Sequence, residues 1–322
     1  MTYANLLYLA KLTDRVAILP PWAPSHLPNE AGFPPFGEVF DVPRLSRAMR
    51  MPVIEWRDVK QVNSTQEDEL GCWTLWATVA EHDWDKNPRG NKIERLLGLD
   101  IAYTPVPDSV VMFPQFPNDP HARFGEVAAL TFPDGRREAH LPAQARFPSP
   151  HSGATPLPDE QLACFDFPYY MGDWKNFEFY FDYSPVWRFV GTHAHWTPRL
   201  EQLALELVRE TLGVAEGQPT PPFISMHVRH GDFKSYCSPG STDCFASLDI
   251  YRNAVDEVRA ELRERKGIEV EHVFVTSDET DVNWWQSVRE LGWSWVDHEE
   301  LRTVERYGLW YVLLMLSITT DS

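Results

Sequence analysis

Apolar and polar positions follow two different rhythms along this chain, and the change falls near Thr197. Before it, short apolar runs are cut by Pro-rich stretches: PPWAPSHLPNEAGFPPFG from Pro20, TPVPDSVVMFPQFPNDP from Thr104 and PAQARFPSPHSGATPLP from Pro142. Proline removes a backbone donor and fixes φ, so these stretches predict ordered loops between short elements. The opening LLYLAKLTDRVAILPP predicts an amphipathic helix flowing into a strand that stops at Pro20 and Pro21. After Thr197 the elements alternate cleanly. Thr197 and Pro198 give an N-cap and first helical position, and Leu200, Leu203, Ala204, Leu207 and Val208 recur at helical spacing. An apolar strand, FISMHV, follows from Phe223. Ser247 then caps a helix with a stripe of Leu248, Tyr251, Val255, Val258 and Leu262, whose charged residues form its solvated face. A second strand, HVFVT from His272, leads to a short helix carrying Trp284, Trp285, Val288 and Leu291 and ended by Gly292. A third strand, WSWV from Trp293, leads to a last helix. This order demands a mainly parallel sheet with right-handed crossovers, a Rossmann-like α/β arrangement.

At 322 residues the chain can fill one large domain or two ordinary ones. The change of rhythm divides it into residues 1–190, with their Pro-rich loops, and 191–322, the Rossmann-like part. Hydrophobic content of 43% marks it as globular, and a net charge of −18 argues against nucleic acid as the main partner, because phosphate backbones need basic patches. A local phosphate pocket stays open, since one well-placed Arg suffices. No apolar run reaches the roughly 20 residues of a membrane span; the longest, residues 309–316, reads as a buried helix. The opening helix begins at the first residue, which predicts missing upstream sequence, so no targeting segment is readable here.

Cys237 and Cys244 share one loop, SYCSPGSTDCF, and predict a local disulfide and an oxidising compartment, with two free thiols as the alternative. No pair of the four cysteines has CxxC spacing. Asn63-Ser64-Thr65 is a glycosylation sequon pointing the same way. Asp83-Trp84-Asp85 is the one DxD triplet and reads as surface rather than a metal site.

In an open parallel sheet, ligands collect at the carboxyl ends of strands. Two polar clusters fall there: HVRHGDF, from His227, closes the first strand, and TSDE, from Thr276, closes the second. Arg229 offers a planar fork of donors that matches phosphate oxygens and never deprotonates. Its alternative is a structural ion pair with Asp232. His227 reads either as a packed strand histidine or as a site residue. Gly231 permits a tight turn or close approach, Asp278 is either an N-cap or a site carboxylate, and Thr276 and Ser277 can donate to phosphate or cap the turn. Arg229-His230-Gly231 also spells the RHG triplet of histidine phosphatases, although the arginine that family carries two residues beyond the glycine is replaced by Phe233. His193 and His195, in GTHAHW, lie at the junction of the two parts and read either as cleft residues or as structural ones, the junction favouring the second.

The stronger match is carried by His227, Arg229 and Asp232 as an HxRxxD-type motif, by VFVTSDE from Val273, and by YGLWYVLLMLS from Tyr307. In these the chain resembles the protein O-fucosyltransferases and other GDP-fucose-dependent fucosyltransferases. The resemblance implies a GT-B-like α/β fold: two Rossmann-like domains facing across a cleft, the first on the acceptor side and the second holding GDP-fucose. It implies that Arg229 binds the β-phosphate and stabilises departing GDP, that His227 and Asp232 shape the nucleotide and sugar site, and that Ser277 and Asp278 line the donor pocket. It further implies inverting transfer to a protein or glycan hydroxyl without a metal or other cofactor, in the lumen of the secretory pathway. The family's Gly-rich Asn motif and its late Ser/Thr motif fall outside this chain, which keeps an inactive, fucosyltransferase-like protein as the alternative.

Overall fold

The computed structural model describes residues 2–22, 32–61, 64–80, 86–90, 92–111, 121–138, 146–173, 184–238 and 244–308. It divides into two compact units, Met1–His195 and Trp196–Ser322.

In the first unit the opening sequence forms the helix Thr2–Leu12 and then strand β1 (Ala17–Leu19). The turn between them passes through Asp14 at φ 51°. β1 pairs in parallel with β2 (Val53–Glu55), β3 (Asp68–Thr74) with β4 (Leu99–Pro105), and β5 (Ala122–Arg123) with β6 (Met171–Gly172). The helices between them are short: Val42–Met49, for example, begins on an Asp41 cap, carries Pro43 in its first turn and ends on Arg50 in the left-handed region. Two apolar groups form the core, one around Trp73, Leu75, Phe124 and Met171 and one around Leu7, Leu19, Leu45 and Met49. A disulfide joins Cys72 on β3 to Cys164, 92 residues on. Sequence spacing had offered no reason to pair these two.

The second unit opens with the helix Pro198–Thr211, whose Thr197 side chain accepts from the Leu200 amide. Strand β7 (Phe223–Val228) and strand β8 (His272–Ser277) lie parallel in register, His227 opposite Thr276 and Val228 opposite Ser277. A parallel pair needs a long crossover, and the helix Leu248–Lys266 supplies it, capped by Gly267 at φ 66°. The helix Val282–Glu290 follows β8 and ends beside Gly292, whose φ of 76° favours glycine. The core of this unit gathers Val228, Val255, Val273, Val275, Val288 and Trp293.

Three expectations change. The WSWV segment is no strand: it makes one parallel bridge, Ser294 to Phe274, because only the Ser294 amide and carbonyl reach β8. Asp278 caps no helix, since the cap of Val282–Glu290 is Asp281, which accepts from the Asn283 amide. Ser247 occupies the predicted cap position of its helix, without a side-chain cap bond. The predicted helix at 309–316, the DxD triplet at 83–85 and Asn63 of the sequon lie outside the described residues.

Candidate functional site at the carboxyl ends of β7 and β8

The register of β7 and β8 delivers HVRHGDF and SDE to the same edge. His227 and Thr276 face each other there, with His227 Nδ1 and Thr276 Oγ1 3.0 Å apart. Loss of hydration around the imidazole holds its pKa below 6.5; the Asp278 carboxylate opposes this and the Arg229 guanidinium adds to it. Those two charges therefore lie within electrostatic reach of one ring. Arg229 is exposed, its guanidinium 5.0 Å from the centre of the Phe233 ring.

Beyond Arg229 the chain is pulled onto β8 by carboxylates. Asp278 Oδ1 accepts from the His230 amide at 2.7 Å and the Gly231 amide at 2.9 Å. Partial burial would raise the pKa of Asp278, but these two donors outweigh it and hold the carboxyl below its usual value. Gly231 is required by space: a Cβ there would lie 2.5 Å from Asp278 Oδ2 and 2.9 Å from its Cγ. Ser277 Oγ accepts from the Glu279 amide and shapes the turn out of β8.

Glu279 accepts four hydrogen bonds. Its side chain is 6% exposed; Oε2 meets His230 Nδ1 at 2.8 Å and Oε1 accepts from Lys234 Nζ at 2.8 Å. Oε1 also accepts from the Thr280 and Asp281 amides. Burial opposes ionisation, but Lys234, the Asp281 amide and His230 prevail and bring the pKa down to about 2. With a carboxylate accepting, His230 Nδ1 is the donor, and Nε2 is buried without a hydrogen-bond partner. The His230 ring, in a residue 4% exposed, stacks on Phe245 at 4.2 Å and meets the edge of Trp284 at 5.3 Å. Phe245 follows Cys244, which is joined to Cys237 by the second disulfide. That bond is the one the loop sequence predicted.

Of the residues singled out by sequence, His227, Arg229, Ser277 and Asp278 thus share one edge. Asp232 begins the 3-10 turn Asp232–Tyr236; its side chain lies outside the described residues, and so does the ion pair with Arg229. Glu279 and the imidazole of His230 were missed as partners, because nothing local signals a pair 49 residues apart. No cluster of metal-ligating side chains occurs among the described residues, and no described helix is long and apolar enough to cross a membrane.

The first unit holds a mainly apolar cavity of about 410 Å³, lined by Leu9, Ala17, Leu70 and Ile101, with Glu94 and Tyr103 among its polar residues. The Tyr103 hydroxyl donates to Glu94 at 2.8 Å. The His195 carbonyl accepts from the Asp41 amide, and the His193 ring lies edge-on to Phe189.

No family model matches the chain, and no curated protein matches it. Among solved structures it is similar to the apo form of POFUT1, with a TM-score of 0.49 and 14% identity over 98% of this chain and 89% of that one. At that score and identity the likeness carries no argument about function.

Proposed function

We propose that the second unit binds GDP-fucose at the carboxyl ends of β7 and β8 and that the chain transfers fucose to a hydroxyl of a protein or glycan. The observation carrying this reading is the in-register pairing that sets Arg229, the central residue of the HxRxxD-type motif and the first beyond β7, beside the turn out of β8. Ligands of parallel α/β sheets gather at this edge. The nearby carboxylates do not weigh against a diphosphate as much as their charge suggests, because Asp278 and Glu279 are engaged by backbone amides, His230 and Lys234.

In the reaction, the acceptor hydroxyl gives up its proton to water as its oxygen attacks C1 of fucose from the face opposite the leaving group, which inverts that centre. The C1–O bond to the β-phosphate breaks and its electron pair leaves on GDP. Arg229 meets the charge that develops there with two parallel N–H donors, a role in which one group contributes about 10²–10³ in rate. The chemical step is proposed to need no metal. His227, Ser277, Asp278 and Asp232 are assigned to the donor pocket, and the GT-B-like class belongs to the same proposal. Two disulfides support an oxidising, secretory compartment.

The histidine phosphatase reading needs a nucleophilic imidazole open to phosphate. His230 is enclosed by Phe245, Trp284 and Glu279, which favours the transferase.

Calorimetric titration of GDP and GDP-fucose without metal tests the proposal, with Arg229→Ala as control. Binding to the parent chain and at least a tenfold loss in the variant are expected, since a charge-assisted contact contributes about 1.5–3 kcal/mol. Equal binding by both proteins would refute the role of Arg229, and a silent parent chain would refute the donor.

A further inference from the structure

We propose that Glu279 is a positioning residue for Arg229, acting as a clamp on the residues that directly follow Arg229 and Phe233. Arg229 is followed by His230 and Phe233 by Lys234, and these two neighbours bind the two oxygens of one carboxylate: His230 Nδ1 to Oε2 and Lys234 Nζ to Oε1, each at 2.8 Å. The Lys234 amide also donates to the His230 carbonyl at 3.0 Å, which closes the turn between them. The guanidinium lies over the Phe233 ring, and the residue that follows each member of the pair is tied by its side chain to Glu279, just beyond β8. A long, exposed arginine gains directional value only when its base is fixed, and outer-shell partners at built sites supply that fixing.

Several observations show that this carboxylate is built into the turn. It is almost wholly buried, yet accepts four hydrogen bonds, including the Thr280 and Asp281 amides that start the next segment. The imidazole it holds is enclosed between Phe245 and Trp284 with Nε2 unpartnered, an arrangement that burial disfavours and that the Glu279 contact offsets. The Cys237–Cys244 bond anchors the residue directly before Phe245, this stacking partner. Ser277 and Asp278 serve the same turn from β8, but neither reaches both ends of the pair.

The inference rests on the proposed role of Arg229 for its meaning in catalysis, while the positioning itself is measurable without any ligand. Two readouts are taken on the full chain and on Glu279→Gln: the rate at which phenylglyoxal modifies Arg229, followed by peptide mass spectrometry, and the dissociation constant for GDP. Loss of the clamp is expected to change the modification rate at least threefold and to weaken GDP about tenfold, the low end of outer-shell effects. His230→Phe, which keeps the ring stack and removes the tie, is expected to move both readouts in the same direction, and it replaces Glu279→Gln should that variant fail to fold. An unchanged modification rate in a folded variant overturns the clamp, and so does GDP binding that Arg229→Ala weakens but the clamp variants leave intact. If GDP fails to bind the parent chain, the donor assignment falls, and the modification rate alone decides whether Glu279 positions Arg229.

Discussion

Replacing Gly231 by Ala tests whether the turn after Arg229 is built by the Asp278 carboxylate. The added methyl would sit 2.5 Å from Asp278 Oδ2 and 2.9 Å from Cγ, well inside van der Waals contact, whereas Asp278 Cβ is an ordinary 3.5 Å away. The backbone at Gly231 has φ −32°, so no left-handed strain enters the comparison. Relief requires the carboxylate to withdraw by roughly 1 Å, which stretches its bonds to the His230 and Gly231 amides from 2.7 and 2.9 Å beyond useful length. Hydrogen bonds to a charged group contribute about 1.5–3 kcal/mol each when sheltered. Asp278 is exposed and water can replace its donors, so about 1 kcal/mol each, or about 2 kcal/mol in all, is the expected cost. Asp278→Ala removes the clashing atoms and leaves only the Cβ contact, so adding Gly231→Ala in that background is expected to cost under about 0.5 kcal/mol. Urea unfolding followed by the fluorescence of Trp284, Trp285, Trp293 and Trp295 reads all four corners of this cycle. Equal costs in the two backgrounds would refute the argument, because the glycine would then be required by something other than the carboxylate.

Other consequences are as direct. Removing the Cys72–Cys164 bond is expected to cost about 2 kcal/mol more than removing Cys237–Cys244, because closing a separation of 92 residues rather than 7 takes more entropy from the unfolded chain; urea unfolding of the two double Cys→Ala variants checks this. Glu279 has a folded pKa of about 2, below its ordinary 4.5, so its contribution is present above pH 4.5 and is lost as pH falls toward 2. Acid titration of stability is therefore expected to be shallower over that interval in Glu279→Gln, and parallel curves would refute the assignment. In transfer assays with a competent acceptor, Arg229→Ala is expected to lower kcat by about 10²–10³ while its melting curve stays close to the parent's; an unfolded variant would point instead to a structural ion pair.

Much of the second unit was legible because its signals are local. β7 runs as read from Phe223 to Val228, Thr197 caps its helix, and Gly292 lies just past the end of the helix before it. The segment WSWV misled because its apolar pattern reflects burial of Trp293 and Val296 rather than a ladder; only Ser294 bonds to β8. Asp278 was read as either a cap or a site carboxylate, and its bonds go to a turn 47 and 48 residues earlier, a distance at which single-sequence periodicity has no reach. The same holds for His230 with Glu279 and for Cys72 with Cys164. At the site, sequence identified which residue types share the edge, since strand order alone fixes that. It could not give the division of labour, in which Asp278 and Glu279 spend their charge on the turn that carries Arg229.

The disulfide between Cys72 and Cys164 also sets a timetable for biosynthesis. Cys72 leaves the ribosome 92 residues before its partner, which at roughly 5–20 residues per second is a wait on the order of 5–20 s. Throughout that wait, β3 carries a thiol that can be captured by any other oxidant or cysteine, while Cys237 and Cys244 are separated by a fraction of that time. The first unit is therefore the part of the nascent chain expected to gain most from a thiol–disulfide isomerase, and alkylation of ribosome-stalled chains of increasing length is expected to find Cys72 open long after β3 has emerged.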